Sequence, residues 1–268
     1  MVAKKVVVIQ SYSLKAAPQW ILACMQSARS WASMNGFDYR FYDDEFFDFV
    51  PGWFREKSKN HIYPLVDIAR LYALKQALTE GFDTAIWIDA DIVIFDPVNL
   101  VITDDSTFCH EVMMWHLISG ELSFSADSVN NSMIVSHKGH PILDDLVVES
   151  ENIVRSMPVN DFTRCMIGPE LLVRLDQKKP LGRLLNVGMF TREYLTILAY
   201  WLLHKEKYSL PPAIMQYRRR FGHHIAAANL SHFQRADLTA EQKDSLDDRL
   251  LLVVDSLIKT SGSIVNPL

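Results

Sequence analysis

The chain has three cysteines in 268 residues, Cys24, Cys109 and Cys165, and no Cys-x-x-Cys pair. That scarcity excludes a zinc ribbon or a disulfide framework and reads as free thiols in a reducing compartment. Long hydrophobic runs are also missing. The nearest, Tyr194 to Leu203, falls short of the roughly 20 residues a membrane span needs and runs into Lys205, Glu206 and Lys207. The apolar stretch Val6-Val7-Val8-Ile9 is too short for a secretory leader. Basic charge is not in excess: 27 Lys and Arg stand against 32 Asp and Glu, a net charge of −5. No global positive field therefore draws nucleic acid. Internal repeats, low-complexity tracts and linkers are absent, which excludes a solenoid or a disordered chain. With 49% hydrophobic residues there is ample material for a core. These features together predict a cytoplasmic protein whose residues 1–268 form a single α/β domain.

What is present begins with a β–α–β pattern. Val6–Gln10 is an unbroken β-branched run, as in a central parallel strand. Pro18 to Met34 predicts a helix with Ile21, Leu22, Met25, Ala28 and Trp31 inward, and 37–42 alternates as a second strand. The acidic and polar stretch 43–60, with Pro51 and Gly52, reads as a surface segment. A helix is expected over 65–80 with Ile68, Leu71, Tyr72, Leu74 and Leu78 inward. Strands are expected at 108–114, 132–136 and 225–230, and helices at 143–154, 168–175 and 193–204. Thr239-x-x-Gln242 is a capping-box start for a closing helix at about 240–258.

The run Ala85-Ile86-Trp87-Ile88-Asp89-Ala90-Asp91-Ile92-Val93-Ile94 carries the most chemistry. It reads as a buried strand that presents two carboxylates. Residues two apart on an extended chain share a side, about 6–7 Å apart by strand rise. Charges inside an apolar run are paired or hold a metal. Mg²⁺ or Mn²⁺, hard cations with oxygen ligands, would satisfy Asp89 and Asp91 and could also grip a phosphate. The competing reading is a strand end with solvated acids. Asp67 and Arg70, three apart, share one helix face and can reach one cleft, or form a surface ion pair.

Val66-Asp67-Ile68-Ala69-Arg70-Leu71-Tyr72 followed by Ile88-Asp89-Ala90-Asp91-Ile92 resembles the D-x-D glycosyltransferases of the GT-A fold. The group it is similar to carries a D-x-D sugar-binding region and includes initiating mannosyltransferases and capsular-polysaccharide enzymes. The resemblance implies a mixed central sheet flanked by helices and a metal-dependent hexosyltransferase that retains anomeric configuration. It further implies a UDP- or GDP-sugar donor and a glycan or other hydroxyl acceptor in polysaccharide biosynthesis. Asp91 would then bind the metal directly and Asp89 would hold ribose or share the ion. A further ligand is expected near the C-terminus, with His232, or the pair His223 and His224, as candidates. Asn130 and Asn131 resemble the position where relatives orient sugar hydroxyls, an Asn-Asn turn being the alternative. Gln10, Ser11 and Tyr12 follow the first strand where the nucleotide base lies, and Tyr12 could stack on it. Ile167-Gly168-Pro169-Glu170 resembles a Thr-Gly-Pro segment of the family, with Ile167 in place of the Thr. Phe82 to Trp87 also lacks the Gly-Gly that relatives carry before the motif.

Two other readings stand beside this one. A haloacid dehalogenase-type phosphatase would use Asp89 as nucleophile, although that fold places its motif near the N-terminus. A non-catalytic sugar-nucleotide-binding module would keep the same pocket. Arg218-Arg219-Arg220, with Lys205 and Lys207 and beside Trp201 and Tyr217, leaves a peripheral contact with anionic lipid open, a solvated charged loop being the plainer reading.

Overall fold

The computed structural model describes residues 4–59, 61–103, 105–116, 119, 121–231 and 238–266. The chain opens with β1 (Val6–Ser11), α1 (Gln19–Met34) and β2 (Asp38–Tyr42), then α2 (Gly52–Ser58), α3 (Ile62–Thr79), β3 (Thr84–Ile88) and β4 (Ile92–Ile94). Four strands follow, β5 (Thr107–Glu111), β6 (Met114–His116), β7 (Leu122–Phe124) and β8 (Ser128–His137). Next come α4 (Ile142–Ser156), α5 (Pro169–Lys178), β9 (Gly182–Leu184) and β10 (Val187–Met189). The last elements are α6 (Arg192–His204), α7 (Pro212–Phe221), β11 (Ala227–Asn229) and α8 (Ala240–Lys259).

The main sheet runs β2-β1-β3-β8-β5-β9. β1 pairs in parallel with β2 and β3, while β8 is antiparallel to both β3 and β5, so the sheet is mixed. A smaller sheet, β10-β11-β4, continues from the turn that follows β3, and β6 pairs with β7. Helices cover both faces: α3 and α4 pack with Val7, Ile9, Trp87 and Phe108, whereas α1 lies over Val8, Ile86 and Ile88. This is an α/β protein with a mixed central sheet flanked by helices.

The first βαβ unit forms as its sequence predicts, with one rotation. The buried stripe of α1 is Trp20, Ile21, Cys24, Met25, Ala28, Trp31 and Ala32. Leu22 lies one step, about 100°, off that stripe and is exposed. The stretch 43–60 is a larger correction. A 3₁₀ turn at Asp44–Phe49 and α2 bury Phe46, Val50 and Phe54 in the core. They come from separate short elements, Phe46 from the 3₁₀ turn, Val50 from the extended residue that ends it and Phe54 from α2, and their burial outweighs the acidic side chains around them. Tyr72, expected inward on α3, is half-buried and its hydroxyl donates to Glu151. The strand expected over 108–114 is two, β5 and β6. α6 is buried along one side only, with Tyr200 and Leu203 exposed.

The closing helix α8 starts at the expected capping box, Thr239 with Gln242, and buries Leu250, Val253, Val254 and Leu257. It packs on α1 and α6, and Trp20 Nε1 donates to Asp247 at 2.8 Å. Beyond it, the Asn266 amide accepts from Ile225 N at 2.9 Å and donates to Ile225 O at 2.8 Å, as a neighbouring strand would. No helix among the described residues is long and apolar enough to cross a membrane.

Candidate active site

The D-x-D motif is a turn and not part of an extended strand. β3 ends at Ile88, and Asp89-Ala90-Asp91 closes with Ile92 N donating to Asp89 O at 3.1 Å. The chain then leaves the main sheet for β4, which pairs with β11. The turn is anchored on the neighbouring strand by Asp89 N donating to Ser132 O at 2.7 Å. Asp89 is thus carried to the C-terminal end of a parallel strand, where ligand sites of open α/β sheets gather. The two carboxylates still sense each other: burial, chiefly, and then the charge of Asp91 push Asp89 well above the usual carboxylate range, with Arg70 and Trp87 opposing.

Arg70 joins this turn to helix α3. Its Nη2 lies 3.3 Å from Asp67 Oδ1 and its Nη1 lies 3.3 Å from Asp89 Oδ1. Nη1 also donates to Asn131 O at 2.8 Å. Asp67 and Arg70 are 7% and 6% exposed, so the pair is no surface ion pair. Trp87 Nε1 donates to Asp89 Oδ1 at 2.6 Å, and the Arg70 guanidinium stands 5.4 Å from the Trp87 ring centre. Burial pushes Asp67 up to about 6, against the pull of Arg70 and a hydrogen bond from Asn131.

Asn130 and Asn131 lie inside β8 and not in a turn before it. Successive strand residues point to opposite faces, and their partners differ accordingly. Asn131 Nδ2 donates to Asp67 Oδ1 at 2.9 Å, and Asn130 Nδ2 donates to Glu111 Oε2 at 2.8 Å. Glu111, which the sequence reading passed over, is buried at the end of β5, and burial raises its carboxyl above the usual range. Gly168, at the start of α5, closes the Asp67 side. A Cβ built there would stand 2.6 Å from Asp67 Oδ2 and 2.8 Å from Asn131 Nδ2. Its φ is −98°, so glycine is required for room and not for backbone freedom.

Asp91 is held from the end of β11. Asn229 Nδ2 donates to Asp91 Oδ1 at 2.7 Å, and Leu230 N donates to Asp91 O at 3.0 Å. Ser231, next in the chain, has φ of +54°, uncommon for a non-glycine residue, and its N–H returns to Asn229 Oδ1 at 2.8 Å. Asn229 was legible only as part of the segment leading to His232, which lies outside the described residues. His224 is directed elsewhere, its Nε2 being 2.7 Å from Asp96 Oδ2, and the His223 ring stands 6.1 Å from that of His110. Gln10 is fully buried: its Oε1 accepts from Tyr39 and its Nε2 reaches Asp89 O at 3.4 Å. Tyr12 is partly buried against the core. The aromatic flank expected beside Arg218–Arg220 is incomplete, because Tyr217 is fully buried with its hydroxyl on Met189.

The fold and site define an α/β protein with an acidic, arginine-bridged group of side chains at the end of strand β3. No protein-family model matches the chain, and neither does any curated protein. It is similar to a solved structure, the crystal structure of a glycosyltransferase involved in the glycosylation of the major capsid of PBCV-1. The two share 10% identity at a TM-score of 0.44, over 91% of this chain and 98% of that one. A likeness at that distance carries no residue role from one chain to the other.

Proposed function

We propose that the protein is a glycosyltransferase of the GT-A kind. It would move a hexose from a UDP- or GDP-sugar to a hydroxyl of a glycan or other acceptor, with retention. The observation that supports this most is the Arg70 bridge between Asp67 and Asp89 at the end of β3, with Asp91 beside it. A buried Asp67 and Arg70, with the guanidinium shared with a partly exposed Asp89, are costly unless something uses them.

Asp89 and Asp91 offer hard oxygen donors that suit Mg²⁺ or Mn²⁺. An ion held by these two carboxylates would keep waters and take substrate phosphate oxygens. A bound cation would neutralise charge on a departing diphosphate. Arg70 fixes the Asp89 carboxylate in one orientation, and Asn229 does the same for Asp91. Asn130 can both donate and accept toward sugar hydroxyls. The leaving diphosphate can itself take the acceptor proton in such retaining reactions, so no side chain is assigned as base.

The test is a donor-hydrolysis panel with Mn²⁺ and UDP-glucose, UDP-galactose, UDP-N-acetylglucosamine and GDP-mannose, reading released nucleoside diphosphate. Release from one donor, dependent on Mn²⁺ and lost in Asp91→Ala without loss of fold, is the expected result. A fully active Asp91→Ala protein overturns the proposal. Phosphate release from a simple phosphomonoester would transfer Asp89 to a phosphatase role, and nucleotide binding without hydrolysis would leave a binding module.

A further inference from the structure

Away from the Asp89 turn, a second group of ionisable side chains converges on a cavity of about 460 Å³. It is lined by His110 of β5, Asp127 before β8, Arg183 of β9, Arg220 at the end of α7, and Phe221 and His223 around the left-handed Gly222 cap. The four elements are distant in sequence, so the fold and not a local motif assembles the cluster.

The two arginines are fixed in place by carboxylates. Arg220 Nη1 meets Asp127 Oδ1 at 2.7 Å and Nη2 donates to Ser125 O at 2.9 Å, while Arg183 Nη2 meets Asp176 Oδ2 at 2.7 Å. A guanidinium has five donors, so each keeps donors beyond its carboxylate. The Nε of Arg183 is buried with no partner among the described residues. His110 is 4% exposed, lies over the Phe221 ring at 4.9 Å, and has its Nε2 3.6 Å from Asp127 Oδ1. Its Nδ1 is buried and also has no partner among the described residues. A buried imidazole nitrogen without a partner costs free energy.

We propose that this cavity binds an oxyanion, the phosphate or carboxylate group of a small ligand, between Arg183, Arg220 and the imidazole of His110. Two guanidinium groups flanking one cavity suit a planar or tetrahedral oxyanion, which they can grip in a fork. Asp127 serves as the resident counter-charge that the ligand displaces or shares. The groups facing His110 set how binding depends on pH. Burial holds His110 below its ordinary value, Asp127 raises it, and His223 and Arg183 lower it further. A bound anion beside His110 favours its protonated form, so binding takes up a proton and tightens as pH falls.

Strand β5, which carries His110, is linked to the Asp89 turn through the intervening strand β8. Cys109, which precedes His110, has its Sγ contacted by Ser132 Oγ, and Ser132 O accepts from Asp89 N. Two strand spacings, about 10 Å, separate β5 from the turn's strand. The proposal does not depend on sugar transfer, because its readout is binding.

The experiment is calorimetric titration of the full chain with inorganic phosphate, glucuronate and neutral glucose, at pH 6 and pH 8 and constant ionic strength. Saturable binding of phosphate or glucuronate but not of glucose is expected, and for glucuronate, whose carboxylate is ionised at both pH values, it is tighter at pH 6. Phosphate alone would identify a phosphate ester as the ligand, and glucuronate alone an acidic sugar. Arg183→Gln and Arg220→Gln should each weaken binding about tenfold, the loss of one charge-assisted hydrogen bond. Asp127→Asn should tighten it by removing the competing carboxylate, a gain that no folding defect produces. His110→Gln should flatten the difference between the two pH values for glucuronate. Absence of saturable binding of either anion, or binding indifferent to Arg220→Gln and Asp127→Asn, overturns the proposal.

Discussion

Arg70 Nη1 stands 3.3 Å from Asp89 Oδ1, and through that contact helix α3 and the turn after β3 share one buried charge. The same guanidinium holds Asp67, so removing it leaves two carboxylates without their cation. Arg70→Leu is therefore expected to cost about 3–5 kcal/mol, the usual loss when a buried pair is broken from one side. Arg70→Lys should lose less stability yet fail to reach Asp67 and Asp89 together, because an ammonium lacks the planar fork. Urea unfolding of the three proteins reads both effects, and an Arg70→Leu protein as stable as wild type would show that the bridge does not matter to folding.

Gly168 offers a test of steric fit alone. A methyl group there would press into Asp67 Oδ2 and Asn131 Nδ2. Gly168→Ala is expected to cost about 1–3 kcal/mol by overpacking and to lower donor hydrolysis by displacing Asp67. Thermal melting together with the donor panel checks it. The outcome to look for is a fall in activity larger than the loss of stability explains.

The raised carboxyl of Asp67 links stability to pH. Its value in the folded protein is about 6 against an ordinary 3.8, so the folded state binds the proton more tightly than the unfolded chain. That contribution is fully present below about pH 4 and is lost as pH rises through about 6. The shift corresponds to on the order of 3 kcal/mol. Asp67→Asn removes it. In metal-free protein, stability of wild type minus that of Asp67→Asn should fall between those two pH values and stay level above them. A difference that rises with pH would reverse the assignment.

The aromatic residues of 43–60 belong to the core. Phe46 stacks on Trp87 at 5.1 Å between ring centres, and Phe54 is fully buried. Phe46→Ala and Phe54→Ala should each cost about 3–5 kcal/mol, whereas Phe47→Ala, at a half-buried position, should cost less. Chemical denaturation of the three variants orders them.

Much of this molecule could be read along the chain. Val6–Gln10 and the first helix declared a βαβ start, and Thr239 with Gln242 marked where α8 begins, because both signals are local. Asp89 and Asp91 stood out as charges in an apolar run, and Glu111 in Thr107-Phe108-Cys109-His110-Glu111-Val112 could have been noticed by the same argument. The turn at Asp89 was hidden because Ile88 and Ile92 make the run look continuous, and the strand ends for a reason that lies elsewhere: β4 finds its partner in β11. Asn130 and Asn131 could be read either as sugar-orienting amides or as a turn, because their partners, Glu111 and Asp67, come from other elements. Stretch 43–60 misled because its charge is local, while Phe46, Val50 and Phe54 are buried by the core they pack into, which lies elsewhere in the chain.

The clasp of Asn266 on both backbone groups of Ile225 bears on how the protein is made. Ile225 leads into β11, the strand that supplies Asn229 to Asp91. Domains begin to fold as they leave the ribosome, N-terminal parts first, so β1, β2 and β3 can pair while the rest is still being translated. β11 cannot be clasped until residue 266 has emerged. The turn bearing Asp89 and Asp91 is laid down early, and the strand that holds Asp91 is secured only after residue 266 has been made, so a nascent chain stalled before that point would carry the motif without its Asn229 support.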